Sequence, residues 1–212
     1  MKLTSIHKKV RGMRRRARKL SSWADIHKEL DLENLYKYQK DYVKIWISPF
    51  YNLYKYNDNK LGKKNPPNRF CKEILYHLIE IYLEWEKRLA KTEEPYYLRL
   101  WIGDPEFIDS QVVAATQHNI EYYEELFMKD KEYKEFPYQD VHPLVNKFTW
   151  ERCVNGYYVW ESDIESEEER LLISKNAFQV NEHLVHGEVE KSYFMRTGDM
   201  WLGSIRRSDN ST

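Results

Sequence analysis

The positions Ile6, Val10, Met13, Ala17, Leu20, Ala24 and His27 recur at spacings of three and four, which predicts a helix over residues 5–30 with one packing face. Residues 42–50 are β-branched and aromatic and end at Pro49-Phe50, so they read as a strand. The polar stretch 51–66 reads as a surface loop. A second helix then starts firmly, with Asn65 able to cap it and Pro66 and Pro67 at first-turn positions. Phe70, Ile74, Leu78, Ile81 and Trp85 form its stripe, with Cys71, Leu75, Tyr82 and Leu89 alongside. A stripe that broad predicts a long central helix, about 67–90, buried against a sheet.

Residues 96–102 and 110–116 follow as strands, separated by a Gly103-Asp104-Pro105 break, and residues 119–129 as a short helix capped by Asn119. Residues 148–153 and 157–160 flank Val154-Asn155-Gly156; Asn-Gly is a strong hairpin signal. Ser166 and Glu169 stand at capping-box spacing and open a last helix carrying Leu171, Leu172, Ile173, Ala177, Phe178 and Val180. Residues 193–196 and 200–205 flank Thr197-Gly198-Asp199 as a second hairpin. Paired strands of this kind predict an α+β fold, a mostly antiparallel sheet with helices packed on one face. The chain divides into a basic amphipathic helix over 1–30, one α+β domain over 31–205 and a disordered tail at 206–212.

Composition narrows the class. Of 212 residues 32% are charged, yet 15% are aromatic, with 17 tyrosines and 7 tryptophans, a content that excludes disorder of the whole chain. Apolar runs are too short for a membrane span of ~20 residues, and no apolar stretch follows the basic N-terminus as a signal peptide requires. Two cysteines exclude a disulfide scaffold. The expectation is a cytoplasmic protein with no membrane contact.

Formal net charge is zero but unevenly spread. Residues 1–28 hold ten Lys and Arg against Asp25, a net of +9, so the rest carries −9, much of it between Glu161 and Glu169. Arg11, Arg14, Arg15 and Arg18 share one helical face and are the candidate nucleic-acid contacts, since arginine contacts to phosphate position a protein on RNA or DNA. The same block can equally dock on the acidic part of its own chain.

Three short motifs carry a resemblance: the opening Lys9-Val-Arg-Gly-Met-Arg-Arg-Arg16, the helical Arg69-Phe-Cys-Lys-Glu-Ile-Leu75, and the strand Tyr97-Leu-Arg-Leu-Trp-Ile102 followed by Asp104-Pro-Glu-Phe-Ile-Asp-Ser-Gln-Val-Val113. Over about the first 130 residues the chain resembles the bacterial DUF3916 family. The resemblance implies a bacterial cytosolic protein and carries over no activity and no catalytic residue.

Asp104, Glu106 and Asp109 between two strands are the candidate metal ligands, because Mg²⁺ takes oxygen ligands and such a site supports phosphoryl transfer. The plainer reading is a polar turn. Ser110 and Gln111, polar residues entering an apolar strand, need partners if buried. His183 and His186, near Glu182 and Glu188, have metal-ligand chemistry but lack the zinc-hydrolase spacing; a pair at the exposed end of the last helix is the plainer reading. His77 reads as a hydrogen-bonded interior histidine, Cys71 and Cys153 as small buried residues. No phosphate loop, nucleophile elbow or dinucleotide fingerprint occurs, so no cofactor is expected. The leading expectation is a non-enzymatic binding or regulatory protein engaging nucleic acid through its basic helix. The alternatives are an immunity- or antitoxin-like factor whose acidic, aromatic surface binds a basic protein, and a metal-dependent nuclease or hydrolase.

Overall fold

The computed structural model describes residues 13–44, 68–104, 107, 110–132 and 134–205; the side chains of 13–17, 43–44, 68–70 and 141 lie outside that description. Arg11, Glu106, Asp109, the 51–66 loop, the strand beyond Lys44 and the 206–212 tail therefore fall outside the described residues, and Arg14, Arg15 and Phe70 are described in backbone only.

The elements are α1 (Met13–His27), α2 (Leu32–Tyr38), β1 (Lys40–Lys44), α3 (Asn68–Leu89), β2 (Tyr96–Asp104), β3 (Gln111–Thr116), α4 (Asn119–Glu125), β4 (Phe148–Trp160), α5 (Glu167–Asn176), β5 (Gln179–Val185) and β6 (Glu188–Ile205). The fold is α+β. Among the described residues six strands form one antiparallel sheet, five of them in the order β1-β3-β2-β6-β4 and β5 pairing with β6. β4 accompanies β6 along its length, while the other edge of β6 is shared: β2 takes residues 199–203 and β5 takes 188–194.

The stripe of α3 does what its periodicity requires. Ile74, Leu78 and Ile81 are fully buried, and burying side chains of that size is worth roughly 1.5–3 kcal/mol each. They meet Leu98, Leu100 and Ile102 of β2, Val112 and Ala114 of β3, and Leu20, Trp23 and Ala24 of α1 in one core. Trp85 Nε1 donates to the His27 carbonyl at 2.9 Å, which satisfies a free carbonyl at the C-terminus of α1 and ties it to α3. A smaller core lies on the opposite sheet face, where α4 and the residues after it set Ile120, Tyr123 and Phe127 against Tyr97, Trp101, Val113 and Met200.

Several local expectations are corrected. The helix read as 5–30 ends at His27, and a separate α2 follows, its first turn capped by Asp31, whose carboxylate accepts from Asn34 N at 3.1 Å. Gly103 and Asp104 continue β2 rather than breaking it. Asn119 is already helical and does not cap α4; its Nδ2 reaches the Gln39 carbonyl instead. Neither inferred hairpin exists. β4 and β6 are each continuous, and their register slips between Asn155 and Gly156, so that Thr197 is an extra residue in β6. Gly156 serves close approach rather than turning: a Cβ there would meet the Met195 carbonyl at 2.3 Å. The helix after Ser166 stops at Asn176, and the residues read as its continuation form β5; the true hairpin is β5–β6, turning at His186 (φ 52°) and Gly187 (φ 87°).

Candidate interaction surface

Beyond the part of β6 that pairs with β2, residues 157–160, 179–185 and 188–195 of β4, β5 and β6 form a three-stranded arm, with α5 connecting β4 to β5 across the two sides of β6. Period-two alternation and cross-strand register place Val180, Leu184, Val189 and Tyr157 on one face of the arm. Leu184 is 77% exposed and its cross-strand partner Val189 63%. On α5, Leu171 and Leu172 are 65% and 63% exposed, and no residue of that helix is buried. Phe178, Tyr158 and Trp160 add exposed aromatic surface. Scattered surface leucines are ordinary; here the exposed apolar side chains are concentrated on one arm and its connecting helix.

The arm is also acidic. Residues 157–195 hold nine Asp and Glu against Arg170, Lys175 and Lys191, a net of −6. Arg170 lies 3.6 Å from both Glu161 and Glu167, and Lys191 3.9 Å from Glu182. Asp163, Glu165, Glu168 and Glu169 have no ion-pair partner among the described residues; Glu169 supports the cap of α5, where its backbone N–H donates to Ser166 Oγ at 3.2 Å.

Of the acids nominated from the sequence, Asp104 lies among the described residues, and Glu106 and Asp109 lie outside them. Asp104 accepts a hydrogen bond from Tyr138 OH at 2.6 Å, and burial together with that carboxylate raises the phenol pKa. Its cross-strand neighbour Asp199 is committed elsewhere. Among the described residues no group of three His, Cys, Asp or Glu is placed to hold a metal ion. Ser110 is buried and satisfied by accepting from Gly103 N at 3.2 Å. Gln111 is buried beside it, and its amide has no hydrogen-bond partner among the described residues.

The histidines separate. His183 lies in a strand, not a helix, and shares a hydrogen bond of 2.7 Å with Ser192 Oγ, while His186 sits in the following turn; one residue points across the sheet and the other terminates it. Ser192 is completely buried, so this Ser–His pair offers no nucleophile to a substrate. His77 is buried and bonds Glu80 at 3.1 Å, as expected of an interior histidine. Both cysteines are buried thiols, and burial pushes Cys71 up to about 11 and Cys153 up to about 12, well away from nucleophilic use.

One polar cluster was invisible in the sequence. Arg152 of β4 is buried and grips Asp199 of β6 with two bonds of 3.0 Å, touches Asp130 at 3.1 Å and donates to the Glu132 carbonyl at 3.2 Å. Arg196 contacts the same two aspartates. Burial opposes ionisation of Asp199, but the hydrogen bonds and charges of both arginines overcome it and hold its carboxyl below the usual range. The backbone N–H of Glu132 chiefly does the same for Asp130, aided by both guanidinium charges. The cluster locks the 130–132 segment and the root of the arm to the sheet.

On α1, Leu20, Trp23 and Ala24 are buried, so the apolar face is spent on the core. Arg18 and Lys19 are exposed and make no ion pair among the described residues. No helix among the described residues is long and apolar enough to cross a membrane. Comparison with protein-family models, with curated proteins and with solved structures finds no match, so function is read from this geometry alone.

Proposed function

We propose that this chain is a protein-binding factor, of the kind that neutralises or regulates a partner, and that its distal arm receives a basic protein surface. The observation that carries this is the coincidence, on one arm, of exposed Leu171, Leu172, Leu184 and Val189 with a net charge of −6. Apolar anchors supply affinity after desolvation, and complementary charge speeds encounter and rejects acidic competitors. The edge of β5 away from β6 adds backbone groups able to pair with an incoming strand.

A second reading is favoured by the exposed Arg18 and Lys19, which make no ion pair among the described residues, on a helix whose apolar face is already docked: α1 engages RNA or DNA. One experiment separates the two. Partners of the full-length protein are captured with and without nuclease, identified, and each is re-titrated in purified form against a Leu171→Ser, Leu184→Ser, Val189→Ser variant. The expected result is a basic protein that binds the purified wild type, survives nuclease, weakens with salt and loses at least tenfold affinity for the variant. Capture abolished by nuclease, and by replacing Arg11, Arg14, Arg15 and Arg18 with Gln, would establish the second reading. A dimer of this chain that the Ser variant converts to monomer would show that a second copy covers the arm, and would overturn the first reading.

A further inference from the structure

The sheet face that carries α4 holds a cleft of about 400 Å³ between β1, β3, β2 and α4. That volume lies within the range of small-ligand sites. Trp101 and Gln111 line it from β2 and β3, Tyr42 and Lys40 from β1, and Asn119 and Tyr122 from α4.

Three features of this lining point to one chemistry. The first is aromatic. Trp101 is held in place by donating from Nε1 to Tyr97 OH at 3.0 Å and by packing on Tyr123. Tyr42 and Tyr122 line the same cleft with about half of their surface open, at 47% and 58% exposure. Rings presented this way offer stacking planes to a flat ligand. The second is the amide of Gln111. It is only 8% exposed, carries two donors and an acceptor, and finds no partner among the described residues. The amide is not sealed from solvent; it opens on the cleft, where the complementary edge of a ligand can meet it. Asn119 contributes in the same way: its Nδ2 is used on the Gln39 carbonyl, leaving Oδ1 as an acceptor. The third is charge. Lys40 lines the cleft and has no acid partner among the described residues.

We propose that this cleft binds a nucleobase bearing a phosphate, the base lying against the tyrosines with its donor–acceptor edge on Gln111 and Asn119 and its phosphate at Lys40. A flat heterocycle with an amide-type edge and an anionic substituent is the ligand that uses all three features. The same chemistry has two sources, a free mononucleotide and a residue of a single strand. The site lies on a different surface from the arm, so it stands or falls independently of the protein-binding reading.

The test is isothermal titration of the full-length protein with AMP, GMP, CMP and UMP, with the parent nucleosides, and with octameric oligo(A) and oligo(U). Saturable binding of at least one monophosphate is expected. Gln111→Met should weaken it at least tenfold while the melting temperature stays level or rises, because the replaced amide has no partner to lose among the described residues. Tyr122→Ala, at an exposed position that cannot unfold the chain, should weaken it at least about fivefold. Lys40→Gln should weaken the monophosphate and leave the nucleoside unchanged. Octamer binding that shows the same sensitivity to Gln111→Met, without monophosphate binding, identifies a strand as the source. Absence of binding by every nucleotide and octamer at millimolar concentration would overturn the proposal. So would affinity unchanged in Tyr122→Ala and Gln111→Met together, or a Gln111→Met protein that melts lower, since the amide would then be a structural group.

Discussion

Arg152→Met removes the guanidinium that joins β4, β6 and the 130–132 segment while keeping most of the aliphatic stem. The Arg152 side chain is 4% exposed, and its main partner Asp199 is 15% exposed. Breaking a buried pair by deleting one partner costs roughly 3–5 kcal/mol, because a charge is left without compensation. Arg196 still reaches Asp199 and Asp130, so the loss should fall near the lower end, about 3 kcal/mol. For a chain of this size that corresponds to a melting temperature lowered by about 6–12 °C. Urea unfolding followed by tryptophan fluorescence should show the midpoint falling with an unchanged slope. The double variant Arg152→Met, Asp199→Leu should melt above the single one, since it removes the carboxylate that Arg196 alone compensates less fully. A single variant that loses less than about 1 kcal/mol, or a double variant that melts lower still, would refute the argument from uncompensated charge.

Two further outcomes follow from the same region. Gly156→Ala places a methyl group 2.3 Å from the Met195 carbonyl, a backbone atom that cannot swing aside, so a loss of at least about 1–3 kcal/mol is expected in thermal melts, with disturbed amide shifts in β4 and β6. Acid titration checks the depressed carboxyls of Asp130 and Asp199: a group whose folded pKa lies below its unfolded value stabilises the fold above about pH 4 and loses that contribution as pH falls through the folded value. Stability should therefore be level near neutrality and drop below about pH 4, and Asp199→Asn should flatten that acid limb while lowering the neutral plateau.

The parts of the fold that were legible are those whose signal repeats. The stripe of α3 recurs over six turns, and β2 and β3 are apolar runs with clear ends, so helix and strands stand where periodicity puts them. The hairpins were misread because Asn155-Gly156 and Gly198 are equally the residues of a bulge. Only the register of the partner strand, supplied by residues some 40 positions away, decides between turn and bulge. β5 was absorbed into the preceding helix because its alternation pairs exposed Val180 and Leu184 with polar neighbours and buries nothing, leaving period two with little contrast. α2 is too short for periodicity, and its local signal is a single capping residue, Asp31. Of the candidate sites, Gln111 was visible as a polar residue entering an apolar strand. The Arg152 cluster draws on residues 130, 152, 196 and 199, whose spacing follows no local rule and becomes meaningful only once β4 and β6 are aligned.

The placement of β6 bears on the order in which the molecule can be made. β2 is synthesised by residue 104, but its second partner strand is not complete until residue 205. At roughly 5–20 residues per second the intervening chain takes about 5–20 s to emerge from a ribosome. Throughout that interval β1, β3 and β2 can pair with one another while the far edge of β2 stays open, with Leu100 and Ile102 on it. β4, released meanwhile, has no sheet to join. Nascent chains halted before residue 188 should accordingly engage holdase chaperones and resist folding, and release should coincide with the passage of β6, the strand that closes every remaining edge between the two halves of the sheet.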